Sequence, residues 1–343
     1  MQRALAVLAL VAALLLLGVK IGAVILDPAS LSARISPYVW QVGLLAALFA
    51  THFQLSGDTK AGLGRLFLSL TVVGLGLFTA AFIGMIALVD RGLEGRSYRD
   101  VIDHPQKIWS TRGLVSGGPE LDETGNQNTV EGVSLAFERG AQGVEVDVYW
   151  DQATNRFAVS HDRPYKTVNG KVLPLGDMLA QVEEPRAWWL DWKKLRHLDS
   201  NELASATTRL REITTPRNLR ERFYVEGEDP FNLDGVQKAG FKTIFDTHPL
   251  PDSNPVAPLL IDAYKALYYY AGHTVMSMES GSADEPIIGE SAKKLLRHVP
   301  LFLYHTPDEP ERIRRLLAME NVRVILLRDH SLDRYQLTAD APK

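Results

Sequence analysis

Glu145 and Asp147 stand two residues apart in the β-prone run GVEVDVYWD, residues 143–151. In an extended chain alternate side chains point to opposite faces. These two acids therefore share one face, and Val144, Val146 and Val148 share the other. Acids gathered on a face that turns inward repel each other and are poorly solvated unless a cation lies between them. The run WWLDWKKL, residues 188–195, repeats the pattern with Asp191 and Lys193 on one face. Three carboxylates and a lysine at strand ends suit a hard divalent cation beside a phosphate, with Mg²⁺ or Ca²⁺ favoured over zinc. His161-Asp162 follows, and an imidazole moves protons near neutral pH. Each piece also has a plainer reading: a solvated strand edge, a turn, a surface ion pair. Their succession along one chain is what favours a site.

Such a site needs strands to carry it. From about residue 99 short β-branched or aromatic runs alternate with helical stretches. Candidate strands are Ile108–Thr111, Val144–Trp150, Phe157–Ser160, Ala187–Trp192, Phe223–Glu226, Lys242–Phe245, Thr274–Met278, Leu301–Tyr304 and Arg323–Leu327. Val130–Arg139, Glu202–Glu212 and Glu309–Met319 are amphipathic stretches between them. Strands alternating with helices predict a parallel sheet. Asp151–Arg156 is too short for a helical crossover of about a dozen residues, so Phe157–Ser160 reads as a hairpin return. Eight strands remain, and the roughly 245 residues from position 99 match an eightfold α/β barrel of about 250. A doubly wound open sheet is the alternative. No GxGxxG or GxxxxGK follows any strand, which weakens its nucleotide-binding versions.

IWSTRG (108–113), NQNTVEGVSLAFERGAQGVEVDVYWD (126–151) and VSHD (159–162) resemble the glycerophosphodiester phosphodiesterases of the phospholipase-C-like barrel superfamily. That family has a strand ending His-Arg-Gly, a Pro-Glu-Asn-Thr that opens a helix, then Glu-x-Asp, then His-Asp. PLFLYHTPDEPERIRRLLAMENVRVILLRD (300–329) resembles its last strand–helix–strand unit, so the likeness covers about residues 105–330. The resemblance implies a (β/α)8 TIM-type barrel and a cation held by Glu145, Asp147 and a third acid. Where the family usually has Glu-x-Lys, Asp191 with Lys193 is closer to the sphingomyelinase D branch. The resemblance further implies a mechanism in which two histidines exchange protons with the attacking and leaving oxygens. Arg112 would then contact phosphate in bidentate fashion, with Lys193, and His161 would act as general acid or base.

Two departures bear on activity. Thr111 stands where the family has its first histidine, and Gln127 stands at the Glu of its Asn-Thr motif. A threonine does not titrate near neutral pH and only hydrogen-bonds to substrate. His104, His248 and His305 are the candidates to take over the missing proton transfer. The loop GLVSGGPELDETGNQ (113–127) follows the first strand, where barrel sites are built, and is either a cover or a mobile segment. Trp188, Trp189 and Trp192, like Tyr268, Tyr269 and Tyr270, read as core packing ahead of a sugar or lipid contact.

The 343 residues carry 37 Lys+Arg against 41 Asp+Glu, and they divide unevenly. Residues 1–90 hold only eight charged groups, net +2, which leaves −6 for the remainder. Three apolar stretches, 4–26, 37–55 and 66–89, read as transmembrane helices. A cleaved leader is the alternative for the first. The expected organisation is a transmembrane region over 1–90, a linker over 91–104 and the barrel over 105–340. Arg3, Lys60 and Arg65 inside would put the barrel outside, whereas Arg91, Arg96 and Arg99 pull the other way. An integral protein of a bacterial inner membrane, with its barrel extracytoplasmic, is the expectation. A homo-oligomer through the helices is expected if they transport, since three spans rarely suffice alone. The chain has no cysteine, which excludes disulfides, thiolate metal sites and a cysteine nucleophile. The acidic C-terminal part argues against nucleic acid as a partner. The leading expectation is a membrane-anchored, metal-dependent phosphodiesterase for a glycerophosphodiester or phospholipid headgroup. Its rival is a catalytically reduced barrel that binds such a ligand or a partner protein.

Overall fold

The computed structural model describes residues 82, 84–96, 98, 101–114, 126–168, 170–183, 186–254, 256–282 and 284–327. The chain divides into two units, Met1–Gly92 and Leu93–Lys343. In the first unit the described residues, 82 and 84–92, are helical. The expected spans at 4–26 and 37–55 lie outside the described residues, as does most of 66–89. Among the described residues no helix is long and apolar enough to cross a membrane. Residues 115–125 of the loop after the first strand also lie outside them.

The strands of the second unit are β1 (Ile108–Thr111), β2 (Gly143–Asp151), β3 (Arg156–Val159), β4 (Thr167–Val168), β5 (Lys171–Val172), β6 (Ala187–Lys193), β7 (Phe223–Gly227), β8 (Lys242–Asp246), β9 (Val275–Glu279), β10 (Leu301–Tyr304) and β11 (Val322–Leu327). Its helices are α1 (Val130–Glu138), α2 (Leu175–Gln181), α3 (Ser200–Thr214), α4 (Pro230–Lys238), α5 (Ala257–Ala271), α6 (Glu290–Leu295) and α7 (Pro310–Leu317). Parallel pairing runs β1–β2–β6–β7–β8–β9–β10–β11 and returns from β11 to β1, closing an eight-stranded barrel. The open-sheet alternative is therefore excluded. β3 turns back antiparallel on the upper part of β2, with Val148 opposite Val159 and Asp151 opposite Arg156. This is the hairpin return that its short connection predicts.

Parallel strands in such a barrel are covered by helices outside and by each other's side chains inside, so they read as buried throughout. β2 is buried along all but its last residue. Near the N-terminal ends the inward row is apolar: Trp109, Ala187, Trp189, Tyr224, Ile244, Val275, Phe302 and Val324 form one cluster. Gly143 makes room for it, because a Cβ there would stand 2.3 Å from the Trp109 indole. Val101 belongs to the same cluster, with Tyr98 and Ile102 packed against it, and the Ile102 N–H donates to Tyr224 OH at 2.8 Å. The stretch expected as a linker thus includes residues that floor the barrel.

Candidate active site

Toward the C-terminal ends the inward rows change character. β6 passes from Ala187 and Trp189 to Asp191 and Lys193, β7 from Tyr224 to Glu226, and β8 from Ile244 to Asp246. Residues just beyond the strands add Arg112, Glu228, His248 and His305, and together they line a cavity of about 880 Å³. This is the end of the barrel at which loops assemble sites.

Strand register gathers the carboxylates that the sequence nominates. Asp147 lies across from Asp191, Tyr149 across from Lys193, and Glu145 across from Thr111. Glu145, Asp147 and Asp191 each offer an oxygen, and the three atoms lie within 4.8 Å of one another. Two cations interleave with them. Arg112 Nε stands 3.0 Å from Asp147 Oδ2, and Lys193 Nζ stands 2.9 Å from Asp147 Oδ1. Lys193 Nζ also reaches Asp191 Oδ2 at 2.5 Å. Asn128 fixes Asp147 from the other side: its Nδ2 donates to Oδ2 at 2.8 Å, and its Oδ1 accepts from the Asp147 N–H at 3.0 Å. Thr129 next to it caps α1, its hydroxyl accepting from the Gly132 N–H at 3.1 Å. The Asn-Thr pair is thereby explained in both halves: one orients a carboxylate, the other starts the helix.

A sharp turn after β1 aims Arg112 into the cluster. Arg112 and Gly113 have φ of 58° and 82°, and a Cβ on Gly113 would meet Gly132 backbone at 2.6 Å. The Arg112 N–H donates to the Glu145 carbonyl at 2.9 Å and to its Oε2 at 3.0 Å. His161 follows β3, where the Ser160 N–H donates to the Asp147 carbonyl at 3.0 Å. Its Nδ1 lies 2.9 Å from Asp162 Oδ2, and its carbonyl accepts from Tyr149 OH at 3.2 Å. Thr111, Arg112, Glu145, His161, Asp191 and Lys193 all line the cavity, and fully buried Asp147 lies beneath them.

Burial, together with Asp147 and Asp191, pushes the Glu145 carboxyl well above its usual range. Burial also raises Asp191, to about 6, against the lowering pull of Lys193. Lys193 is raised by Asp191 and Asp147, which outweigh its own burial. Three carboxylates and two cations leave one net negative charge when all are ionised. A divalent cation and the single charge of a phosphodiester would together bring the site to neutrality.

A second polar group continues round the mouth from Asp191, whose register partner on β7 is Glu226, and strand-by-strand reading does not single it out as a set. Glu226 accepts from Trp189 Nε1 at 2.9 Å and from Ser277 Oγ at 2.7 Å. Asp246 accepts from Tyr304 OH at 3.0 Å and lies 3.4 Å from His248 Nε2. Glu228 pairs with Arg196 and stands 3.9 Å from the same imidazole nitrogen. The ligating atoms of Glu228, Asp246 and His248 also lie within 4.8 Å of one another. Burial raises Glu226 well above its usual range and Asp246 to about 7. The neighbouring Glu228 and Asp246 carboxylates raise His248 to about 9. The signal was present: Glu226-x-Glu228 and Asp246-x-His248 have the same alternate spacing as Glu145-x-Asp147.

Of the histidines considered for the role missing at Thr111, His104 is excluded. It is exposed, bonds to Gln106, and precedes the N-terminal end of β1, whereas Thr111 closes the other end. His248 and His305 both line the cavity. Trp188, Trp189, Trp192 and Tyr268 are buried, as core packing predicts, while Tyr270 is exposed.

No family model matches the chain, and no curated protein matches it. Among solved structures it is similar to a putative glycerophosphodiester phosphodiesterase from Galdieria sulphuraria, at 15% identity over 66% of this chain and 94% of that one, with a TM-score of 0.48. A putative glycerophosphoryl diester phosphodiesterase from Silicibacter pomeroyi gives 16% identity, 71% and 95% coverage, and a TM-score of 0.48. A glycerophosphodiester phosphodiesterase from Parabacteroides distasonis gives 16%, 64% and 91%, and 0.47. The second unit contains a closed eight-stranded parallel barrel of TIM type, and the solved structures it is similar to include several glycerophosphodiester phosphodiesterases.

Proposed function

We propose that this chain is a divalent-cation-dependent phosphodiesterase, a hydrolase or lyase, that acts on a glycerophosphodiester or phospholipid headgroup. The observation that carries this reading is the cluster of Glu145, Asp147 and Asp191 within 4.8 Å, laced with Arg112 and Lys193 at the floor of an open cavity. The donor set fits a hard cation: every ligand is a carboxylate oxygen, and Glu145 tends to take up a proton where no other positive charge reaches it. Mg²⁺ or Ca²⁺ held there would supply Lewis-acid stabilisation of charge developing on phosphoryl oxygen. Arg112 and Lys193, now engaged with carboxylates, are placed to turn to phosphate oxygens. Asp162 orients the His161 ring through Nδ1, leaving Nε2 to carry a proton. The Thr111 hydroxyl, level with Glu145, hydrogen-bonds to substrate.

The apolar stretches at 4–26, 37–55 and 66–89 support anchoring in a membrane, with the barrel on the extracytoplasmic side. Protease digestion of intact and opened cells tests that side directly. Thr111 favours a second reading, in which the barrel binds a phosphodiester without cleaving it. Steady-state cleavage of glycerophosphodiesters by the full chain decides between them. Cleavage should require added Mg²⁺ or Ca²⁺, stop with chelator, and fall steeply in Glu145→Ala and His161→Ala. Equal turnover by wild type and both variants contradicts the catalytic assignment. Tight binding without cleavage supports the second reading.

A further inference from the structure

We infer that His305, positioned by Glu279, is the second proton-transfer residue of this site, taking the role that Thr111 on β1 cannot fill. The inference rests on the phosphodiesterase reading above and extends it to a residue on another strand.

Two histidines that line the same cavity each pair with a carboxylate, and the pairs are built alike. His161 Nδ1 lies 2.9 Å from Asp162 Oδ2, and His305 Nδ1 lies 2.8 Å from Glu279 Oε1. An ionised carboxylate only accepts hydrogen bonds, so in each pair Nδ1 carries the hydrogen and Nε2 is left to exchange a proton. Neither Nε2 makes a hydrogen bond among the described residues. His248, the other candidate, is enclosed by acids: its Nε2 stands 3.4 Å from Asp246 and 3.9 Å from Glu228 without a hydrogen bond to either, and its Nδ1 faces Tyr304 OH at 3.5 Å.

The ring order sets the two pairs at different parts of the mouth. Attacking and leaving oxygens stand on opposite sides of phosphorus, so acid and base must approach from different parts of the mouth. His161 rises beside β2, while His305 ends β10, three steps round the ring by way of β11 and β1. Arg112, just past β1, lies between them in that order. His305 is also held in a costly conformation. Its φ is 45°, in the left-handed region that side chains with a Cβ avoid. Tyr304 packs edge-on against its ring at 5.1 Å and is itself tied to Asp246. The imidazole is thereby fixed from two directions at the tip of a strand.

The proton accounting closes with one proton shared by two imidazoles. As the attacking hydroxyl oxygen bonds to phosphorus, its proton passes to one Nε2. As the bond from phosphorus to the leaving oxygen breaks, that oxygen takes a proton from the other imidazolium. The electron pair of the broken bond stays on the leaving oxygen, and the pair of histidines ends with one proton, as it began.

The test uses His305→Gly in the full chain with its cation. Glycine accepts the positive φ, so the variant relieves strain and keeps the fold, checked by its melting temperature. Turnover of an alkyl glycerophosphodiester should fall about 10²–10⁴-fold in kcat with little change in KM. Added imidazole should restore part of it, which a structural defect would not allow. Glu279→Gln should lower kcat about tenfold or more at unchanged KM, since it disturbs ring orientation and not binding. Wild-type kcat in His305→Gly, alongside loss in Glu145→Ala, overturns this inference and leaves the phosphodiesterase reading intact. A loss matched by a lowered melting temperature and unmoved by imidazole also overturns it. Wild type that cleaves no diester with either cation overturns both.

Discussion

The floor and the mouth of this barrel are built from the same strands and obey different rules. At the floor Trp109 meets Tyr224 and Phe302 with ring centroids 6.0 and 5.5 Å apart, and nearly every inward group is apolar. Two or three residues further along, the same rows carry Glu145, Asp147, Asp191, Glu226 and Asp246. Buried like charges cost stability unless something compensates them. A chain selected for stability alone would have continued the apolar rows upward. The floor therefore contributes the stability that the mouth consumes, and a local rule broken in five places at one end is the mark of a working site.

Substitutions should separate the two ends. The largest effect is expected at the mouth: Glu145→Ala should lower kcat/KM about 10²–10³-fold, equivalent to about 3–4 kcal/mol of transition-state stabilisation, with the melting temperature unchanged or raised. At the floor the pattern should invert. Trp109→Ala should cost about 3–5 kcal/mol in denaturant unfolding while leaving the cation affinity of the folded fraction unaltered. If both variants lose activity and stability in parallel, the division between the ends fails.

The pH dependence of stability sharpens the comparison. Asp191 and Asp246 bind protons more tightly folded than unfolded, with values raised to about 6 and about 7. Their contribution is full below the ordinary carboxylate value and is lost as pH rises through those values. His248, raised to about 9, contributes fully below its unfolded value and loses that contribution as pH rises through 9. Without added cation the melting temperature should therefore fall from about pH 4 to about pH 9, the Asp191 and Asp246 contributions going first and that of His248 after them. Asp246→Asn should flatten that fall, as scanning calorimetry will show. One buried histidine opposes this trend on the acid side. Burial pushes floor-side His273 down to about 4, so its contribution is present above its unfolded value and lost as pH falls toward 4. The smallest effect is expected for His104→Ala, at the wrong end of β1, with activity within about twofold of wild type.

Much of this was legible in local patterns, because period-two alternation assigns both strand and face at once. Ile108–Thr111 and Leu301–Tyr304 coincide with their predicted bounds, and the short Asp151–Arg156 link identified the strand that pairs antiparallel in the barrel sheet. Glu145, Asp147 and Asp191 were legible for the same reason, being two apart on neighbouring strands whose register then aligns them. The adjoining arc of the mouth was harder. Glu228 and His248 lie just past β7 and β8, so they extend the alternation of Glu226 and Asp246 beyond the strand ends, and the pairing of these two neighbouring strands brings them together. The tryptophans show the same limit. Trp189 faces the floor and donates to Glu226, whereas Trp188 packs outward on Phe137 at 5.9 Å and Trp192 on Phe157 at 4.9 Å. Nothing in their residue type tells them apart; their position in the strand does.

The central claim is that the mouth cluster takes one divalent cation. Titration calorimetry of the full chain with Mg²⁺ and Ca²⁺, wild type against Asp147→Asn, tests it most directly. One ion should bind per wild-type chain, and that binding should vanish in the variant while its fold persists. No binding by wild type, or the same stoichiometry and affinity in Asp147→Asn, would contradict the account.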